Sequence, residues 1–440
     1  MTAQAQATAI EVDSATPVPL TASVRYRILL YMSILTFLMG FGGPYLGLIG
    51  LPISFFLKNK LHLKAHEVAL FQLMSAVPLY LSFAFGFARD RWNFFGMKDR
   101  GLMVLFGSIT AIIYLAFSFI QVSYITLLIG VLMLTFGYLF VVSAKDGLAS
   151  TIGQQHVMSG QISAVWNVVA SLPGLVAFLL GGVLSDQLEG QNADRAARIL
   201  FLIGAAVMAA VAAYGAWRPR IVFDNVHYEQ RPAVHPFADL KRLVGHWPIY
   251  PALLIWLLWN FAPGSVTPLQ YYLQNTLHAK DAQWGQWNAI FAASFIPTFL
   301  LFGVLCRKFP LKKLLWWGTV VAVPQMVPLA FIHSVDGALW AAAFMGLTGG
   351  VASAAYIDLI IRSCPHGLQG TTIMMSTGLY WIASRFGDVL GTNLYDHYGG
   401  FMVCVIAITV VYALILPTLL LVPNRLITTA DGDVPEGGFA

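Results

Sequence analysis

The amino-acid sequence predicts an all-α integral membrane protein with twelve transmembrane helices in two six-helix bundles. Three observations predict it. The 440 residues are 58% hydrophobic and only 10% charged, against roughly 25% charged in soluble domains, and the mean hydropathy is +0.72. A chain so poor in charge cannot cover a water-facing surface, so lipid is its solvent. The apolar residues fall into twelve runs, each near or above the ~20 residues that cross a bilayer as a helix. The longest connection between runs, RPRIVFDNVHYEQRPAVHPFADLKRLVGHW at 218–247, lies between the sixth and the seventh.

In chain order, residues 1–25 have no basic region followed by an apolar core, so they are expected to be a disordered cytoplasmic tail and not a secretory signal. The first bundle, 26–217, holds spans at 26–56, 67–88, 102–120, 123–144, 157–183 and 198–217. Its first span contains GFGGPYLGLIGLP, where Gly40, Gly42, Gly43 and Gly47 surround Pro44. Such a helix can pack closely and bend, and so can serve as a hinge. A cytoplasmic linker, 218–247, follows. The second bundle, 248–422, holds spans at 248–273, 284–305, 314–332, 337–361, 371–395 and 400–422. Residues 423–440 form a cytoplasmic tail, and its end, TTADGDVPEGGFA, is expected to be disordered. Cys306, Cys364 and Cys404 are far apart without metal-ligand spacing and read as small apolar fillers.

Orientation follows from Lys and Arg. With both ends and every even-to-odd connection inside, eighteen of the 25 basic residues are cytoplasmic, Lys145 and Arg362 among them. Six lie outside (Lys58, Lys60, Lys64, Arg195, Arg198 and Lys280), and Arg385 alone falls within a span. Both termini are therefore expected in the cytoplasm. The net charge of +5 is spread over short connections that can face lipid headgroups, which gives no reason to expect nucleic acid as a partner.

The two halves also echo each other. Asp146 and Asp358 each sit near the inner end of a span, followed by a polar–aromatic cluster (Trp166–Asn167 or Tyr380–Trp381) and then Asp186 or Asp396. Six helices, a basic linker and six helices resemble the major facilitator superfamily, whose pseudo-symmetric halves hold substrate between them. GFARDRWNFFGMKDRG at 86–101 is similar to that superfamily's signature between the second and third helices, with Gly86, Asp90, Arg91, Lys98 and Arg100 matching. The match implies a cytoplasmic charge latch at Asp90, Arg91, Lys98 and Arg100, although a solvated basic loop that only fixes topology is the alternative. The second-half counterpart, GVLCRKFPLKK from Gly303, lacks the acid, so a latch there is expected to be degraded. With LHLKAHEVALFQLMSAVPLYL, WNFAPGSVTPLQYYLQNTLH and CPHGLQGTTIMMSTG, the longer loop further resembles the folate–biopterin transporter family and its bacterial relatives.

Candidate site residues begin with YWIASRFGDVLG at 380–391, which places Arg385 and Asp388 on one helix face at i and i+3. A charge at bilayer depth survives only against a partner or a wet cavity. The two can weld the eleventh helix to a neighbour. Alternatively, Arg385 receives a carboxylate of the substrate while Asp388 holds it or takes a coupling proton. Asp146, Asp358 and Arg362 are expected to pair at an inner gate or to handle protons. The aromatic–amide clusters Trp166–Asn167, Trp259–Asn260 and Tyr380–Trp381 suit either helix packing or a flat heteroaromatic ligand. Tyr271 and Tyr272, after the expected break at Pro263–Gly264, are candidates for an outer gate.

No phosphate-binding loop, nucleophile elbow or metal-ligand cluster is present in the sequence, so no enzyme or ATP-driven engine is expected, and no cofactor. The leading expectation is a monomeric secondary transporter in the bacterial inner membrane. It would move a small organic solute by alternating access, coupled to protons or sodium. An organic anion of the folate or pterin type comes first, with a sugar or other metabolite as the alternative. A non-transporting assembly or scaffold protein of the same fold is the reading from another class.

Overall fold

In the computed structural model, residues 20–44, 61–63, 65–120, 123–189, 193–228 and 236–433 are described, with Gly50, Ile53 and Leu57 in addition. The first nineteen residues, Gly47, Lys58, Lys60, Lys64, Arg231 and residues 434–440 lie outside them. Regular structure among the described residues is helical throughout. In the first half, α1 is Ala22–Gly42, α2 runs in three pieces (Ala65–Ser75, Val77–Tyr80 and Ser82–Arg91), α3 is Asp99–Phe117, α4 Tyr124–Gln155, α5 Ser159–Glu189 and α6 Ala193–Ala216. Two linker helices follow, Arg220–Phe223 and Pro236–Gly245. In the second half, α7 is Ile249–Asn260, resuming as Thr267–Tyr271 with a π turn Tyr272–Thr276. Then come α8, Asp281–Leu305, α9, Leu311–Ala322 with a 3₁₀ extension Val323–Phe331, and α10, Val335–Ser363. The last two are α11, Gln369–His397, and α12, Phe401–Ala413 with Ile415–Leu419, before a final turn Asn424–Ile427.

Over the described residues, eight of these, α1, α3, α4, α6, α8, α9, α10 and α12, are long and apolar enough to cross a membrane by length and composition. Of the other helices, α2, α7 and α11 depart from a plain apolar rod for visible reasons. Pro78 removes a backbone donor and crowds the preceding turn, and α2 breaks around it at Ala76 and Leu81. In α7 the break falls between Asn260 and Thr267, where Gly264 sits at φ +102° against Cys404. A side chain there would meet both backbone strain and a clash. α5 carries Pro173 inside the helix, and α11 carries Arg385 and Asp388.

Two boundaries place a basic residue elsewhere than the sequence expectation does. α4 continues eleven residues past 144, to Gln155, because Ser143 and Thr151 return their hydroxyls to their own helix and no breaker intervenes before Val157, at φ +50°. Lys145 is therefore no loop residue but a buried group inside the bundle. Arg362 likewise belongs to the last turn of α10 and is buried. Neither is available as a headgroup-facing topology signal.

Within the halves, α3 packs on α6, α1 on α5 and α6, and α10 on α8 and α9. Between the halves, α5 packs on α8, α4 on α11, and the Val77–Arg91 part of α2 on α11. The Ala65–Ser75 piece of α2 turns instead to α4. Alternation of the spans brings both ends of the described chain, the linker helices and the α2–α3, α4–α5, α8–α9 and α10–α11 connections to one end, here called the linker side. The hydrogen bonds crossing between halves cluster there. Gln154 donates to the Ile361 and Cys364 carbonyls at 2.9 and 2.7 Å, Gln369 to Gln154 at 2.9 Å, and Ser163 to the Ala354 carbonyl at 2.7 Å.

Candidate functional site

Charge on the linker side is tightly organised. At the end of α2, Arg89 grips Asp99 at the start of α3 with two parallel bonds, 2.5 and 2.6 Å, and Asp90 at 2.8 Å. Asp90 in turn accepts from the Gly370 and Thr371 backbone amides at 3.0 and 2.7 Å and from the Thr371 hydroxyl at 2.6 Å. It thus satisfies orphan donors at the N-terminus of α11, across the halves, where the helix dipole also favours an anion. The approach needs glycine: a Cβ on Gly86 would lie 2.2 Å from the Gly370 carbonyl oxygen. The linker joins in through Tyr228, whose hydroxyl donates to Asp99 at 2.8 Å. Burial, and then the neighbouring Asp99 carboxylate, hold that phenol well above its usual range.

The expected latch set is therefore redistributed. Of Asp90, Arg91, Lys98 and Arg100, it is Asp90 that bonds across the halves, to Gly370 and Thr371. Arg91 pairs with Asp239 of the linker at 2.8 Å. Arg100 donates to the Gly215 and Ala216 carbonyls at the end of α6 and lies over the Phe223 ring. Lys98 shapes the turn, at φ +53° with its amide on the Asn93 side chain. The buried partners Arg89 and Asp99 were not singled out from the sequence, where four basic residues and two acids fall within residues 89–100.

In the second half, Arg362 binds Asp358 at 2.9 and 3.3 Å, Asp431 at 2.9 Å and Ser159 at 3.1 Å. It also donates to the Leu426 and Thr429 carbonyls. Asp358 and Arg362 thus meet as expected of an inner pair, but the third member comes from the C-terminal segment. That segment is ordered through Asp433, and Asp431 is buried, so the expectation of disorder fails for residues 428–433.

Asp146 does not join this cluster. It forms a buried ion pair with its neighbour Lys145, yet its Oδ1 lacks a contact of hydrogen-bond geometry among the described residues. The Lys145 ammonium lies 4.4 Å from the centre of the Trp166 ring, a cation–π contact. A small pocket between α1, α4 and α5 is lined by Leu29, Met32, Thr36, Lys145, Ala149 and Trp166. Asn167 beside it donates to the Ser163 carbonyl at 2.8 Å. The sequence concealed Lys145 because the apolar run ends just before it.

On α11 the expected Arg385–Asp388 pair is absent. Asp388 accepts from the Thr267 amide and hydroxyl at 2.9 and 2.8 Å, capping the second piece of α7. Arg385 is exposed and has no hydrogen bond or ion pair among the described residues. Its direction follows from helix geometry. A Cβ on Gly378 would lie 3.2 Å from the Tyr80 carbonyl of α2, and seven residues are about two turns. Arg385 therefore leaves α11 on the side facing α2, roughly 10 Å along the helix axis from Gly378. Trp381, one turn earlier, shares that face, whereas Tyr380 projects elsewhere and meets Trp381 edge-on at 5.3 Å.

The remaining aromatics divide. Trp259 is buried, stacked on Tyr412 at 4.8 Å and edge-on to Tyr356, and Asn260 donates to the Trp256 carbonyl at 2.7 Å. This cluster packs the second half together and offers no open ring face. Tyr272 is stacked on Phe401 and donates to the Ile332 carbonyl at 3.1 Å, so it is held in place. Tyr271 is exposed and is the freer of the expected outer gate pair.

Comparison with known proteins bears on this arrangement. A family model described as Major Facilitator Superfamily matches residues 155–392. A curated Arabidopsis thaliana protein, "Probable folate-biopterin transporter 7", is 30% identical over 176 residues, 38% of this chain and 40% of that protein's length. Among solved structures, the chain is similar to the transporter FucP in its outward conformation, with TM-score 0.69 and 14% identity over 89% of this chain and 97% of that one. It is similar to the proton:xylose symporter XylE, with TM-score 0.68 and 12% identity over 92% and 98%. It is also similar to the human organic anion transporter MFSD10, with TM-score 0.65 and 14% identity over 91% and 100%. At these identities the structures speak to fold.

Proposed function

The chain belongs to the Major Facilitator Superfamily, as a multi-pass membrane protein, and from that premise we propose that it is a secondary transporter moving a small organic anion by alternating access. The observation that carries the reading is Arg385, a guanidinium with no hydrogen bond or ion pair among the described residues, on the α2-facing side of α11 and beyond the closed linker side. At bilayer depth such a group needs water or an anion. Its planar fork suits a carboxylate, and Trp381 one turn below supplies a ring on the same face. The partial likeness to a folate–biopterin transporter supports folate or pterin as the solute class.

The closed linker side and the open position of Arg385 correspond to a state that receives solute from the opposite side. The charge bias of the connections places the linker and termini in the cytoplasm, in a bacterial inner membrane on this reading. Asp146, paired with Lys145 in the linker-side half of α4, is the proposed coupling carboxylate; Asp388 is committed to α7. A thermal-shift screen of purified protein against folates, pterins, sugars and amino acids tests the reading. Stabilisation by a folate or pterin, lost in Arg385→Ala, supports it. Stabilisation by sugars alone, or equal stabilisation of Arg385→Ala, overturns it. Uptake into proteoliposomes with and without a pH gradient then tests the coupling role of Asp146.

A further inference from the structure

The two halves close the linker side with the same three-residue device, but one copy is assembled from the wrong place in the chain. In the first device Arg89 joins Asp99 to Asp90, and Asp90 accepts from the second and third residues of α11, Gly370 and Thr371. In the second, Arg362 joins Asp358 to Asp431, and Asp431 accepts from the second and third residues of α5, Gly160 and Gln161, at 3.2 and 2.9 Å. By pseudo-symmetry the second acid belongs at the end of α8, yet the chain there reads GVLCRKFPLKK, without one. Asp431 takes up that position from outside the bundle. Its backbone amide bonds the Cys306 carbonyl at the end of α8 at 2.9 Å, and its Oδ2 lies 3.8 Å from the Cys306 thiol. The segment is pinned on both sides, Leu311 to the Thr429 carbonyl at 3.4 Å and Gly432 to the Val157 carbonyl at 2.8 Å.

We propose that residues 428–433 are a strap whose Asp431 is the missing gating acid of the second half, so that the C-terminal segment, and not the α8–α9 connection, sets how readily the linker side opens. Opening separates α5 from α8 and α10, which requires Asp431 to release either the α5 amides or Arg362. A strap that follows the last span can leave without unfolding any span, whereas Asp90 cannot leave its helix. The strap is thus the adjustable half of the closure.

Cys364 provides a native reporter. It is buried at the junction of the halves, with Ser150 of α4 donating to its sulfur at 3.5 Å. In a Cys306→Ala, Cys404→Ala background, alkylation of Cys364 by N-ethylmaleimide reads opening of the linker side without any solute. Asp431→Ala is expected to raise the labelling rate roughly tenfold, the factor for a shift of about 1.4 kcal/mol in the closed–open equilibrium, with the thermal midpoint of unfolding near the parent's. Asp90→Ala, which opens the first device, calibrates the reporter. A chain ending at Thr428 repeats the measurement without substituting any residue of the bundle and is expected to match Asp431→Ala. Labelling of Asp431→Ala and of the shortened chain at the parent's rate, while Asp90→Ala labels faster, overturns the proposal.

Discussion

An arginine at bilayer depth costs roughly 2.5–3.5 kcal/mol on insertion scales, and what surrounds it decides whether that cost is structural or functional. Arg89 and Arg362 are each enclosed by two carboxylates, and their guanidinium groups hold helices together. Arg385 has no such enclosure, so removing it leaves no buried partner stranded. Arg385→Ala is expected to leave the unfolding midpoint in detergent within a degree or so of the parent. It should weaken anion binding roughly ten- to a hundredfold, as the loss of a charge-assisted hydrogen bond predicts. Lys145 and Asp146 behave oppositely. Asp146→Ala strands a buried ammonium and is expected to destabilise by about 3–5 kcal/mol. The double variant Lys145→Met, Asp146→Ala removes both charges and should recover most of that loss in the same denaturation measurement. That Arg385 is a candidate was readable from two charges, its own and that of Asp388, in an apolar run. Its failure to pair with Asp388 was not, because the competing Thr267 is 121 residues away in sequence.

At the scale of the element, breaks and close approaches carry the conformational information. Gly264 combines a left-handed backbone with a Cβ position 2.5 Å from Cys404. Gly264→Ala is therefore expected to cost about 1–3 kcal/mol, read as a lowered thermal midpoint. Gly285, in α8 with nothing near its Cβ position, is the control. Gly285→Ala should be neutral or stabilise by up to about 1 kcal/mol. The break in α7 was legible because Pro263–Gly264 punctuates an apolar run, and the spans were legible because lipid imposes their length. The end of α4 was not. Lys145 and Asp146 look like a loop until tertiary neighbours satisfy them, and a hydropathy window cannot see those neighbours. The latch was half legible for the same reason. Asp90 stood out beside Gly86, but that Asp431 completes the second device depends on a tail segment folding back over the bundle, for which TTADGD contains no periodic signal.

At the scale of the whole molecule, two bundles are closed at the linker side by two charge devices, the second of them, on our proposal, removable. The removable one is also pH-sensitive. Burial, and then the Asp358 carboxylate, push the Asp431 carboxyl up to about 6, against the pull of Arg362. Cys306 and the Gly160 and Gln161 amides complete its surroundings. A carboxyl whose docked value is raised binds its proton more tightly when docked. The contribution of Asp431 to docking is therefore fully present below its ordinary value near 4 and is lost as pH rises through about 6. Hydrogen exchange of residues 428–433, corrected for intrinsic rates, should show stronger protection at pH 5 than at pH 7.5. Asp431→Asn, neutral at both, should show no such difference, and equal protection of the parent at both values would contradict the coupling.

The central claim is that Arg385 faces water between the bundles while the linker side is shut. It is tested most directly by Arg385→Cys, labelled with a membrane-impermeant maleimide applied to the face opposite the linker, since the native cysteines are buried. The account predicts rapid labelling from that face alone, slowed when the solute binds. Labelling only by lipid-soluble maleimides would place the position against the bilayer and contradict the account.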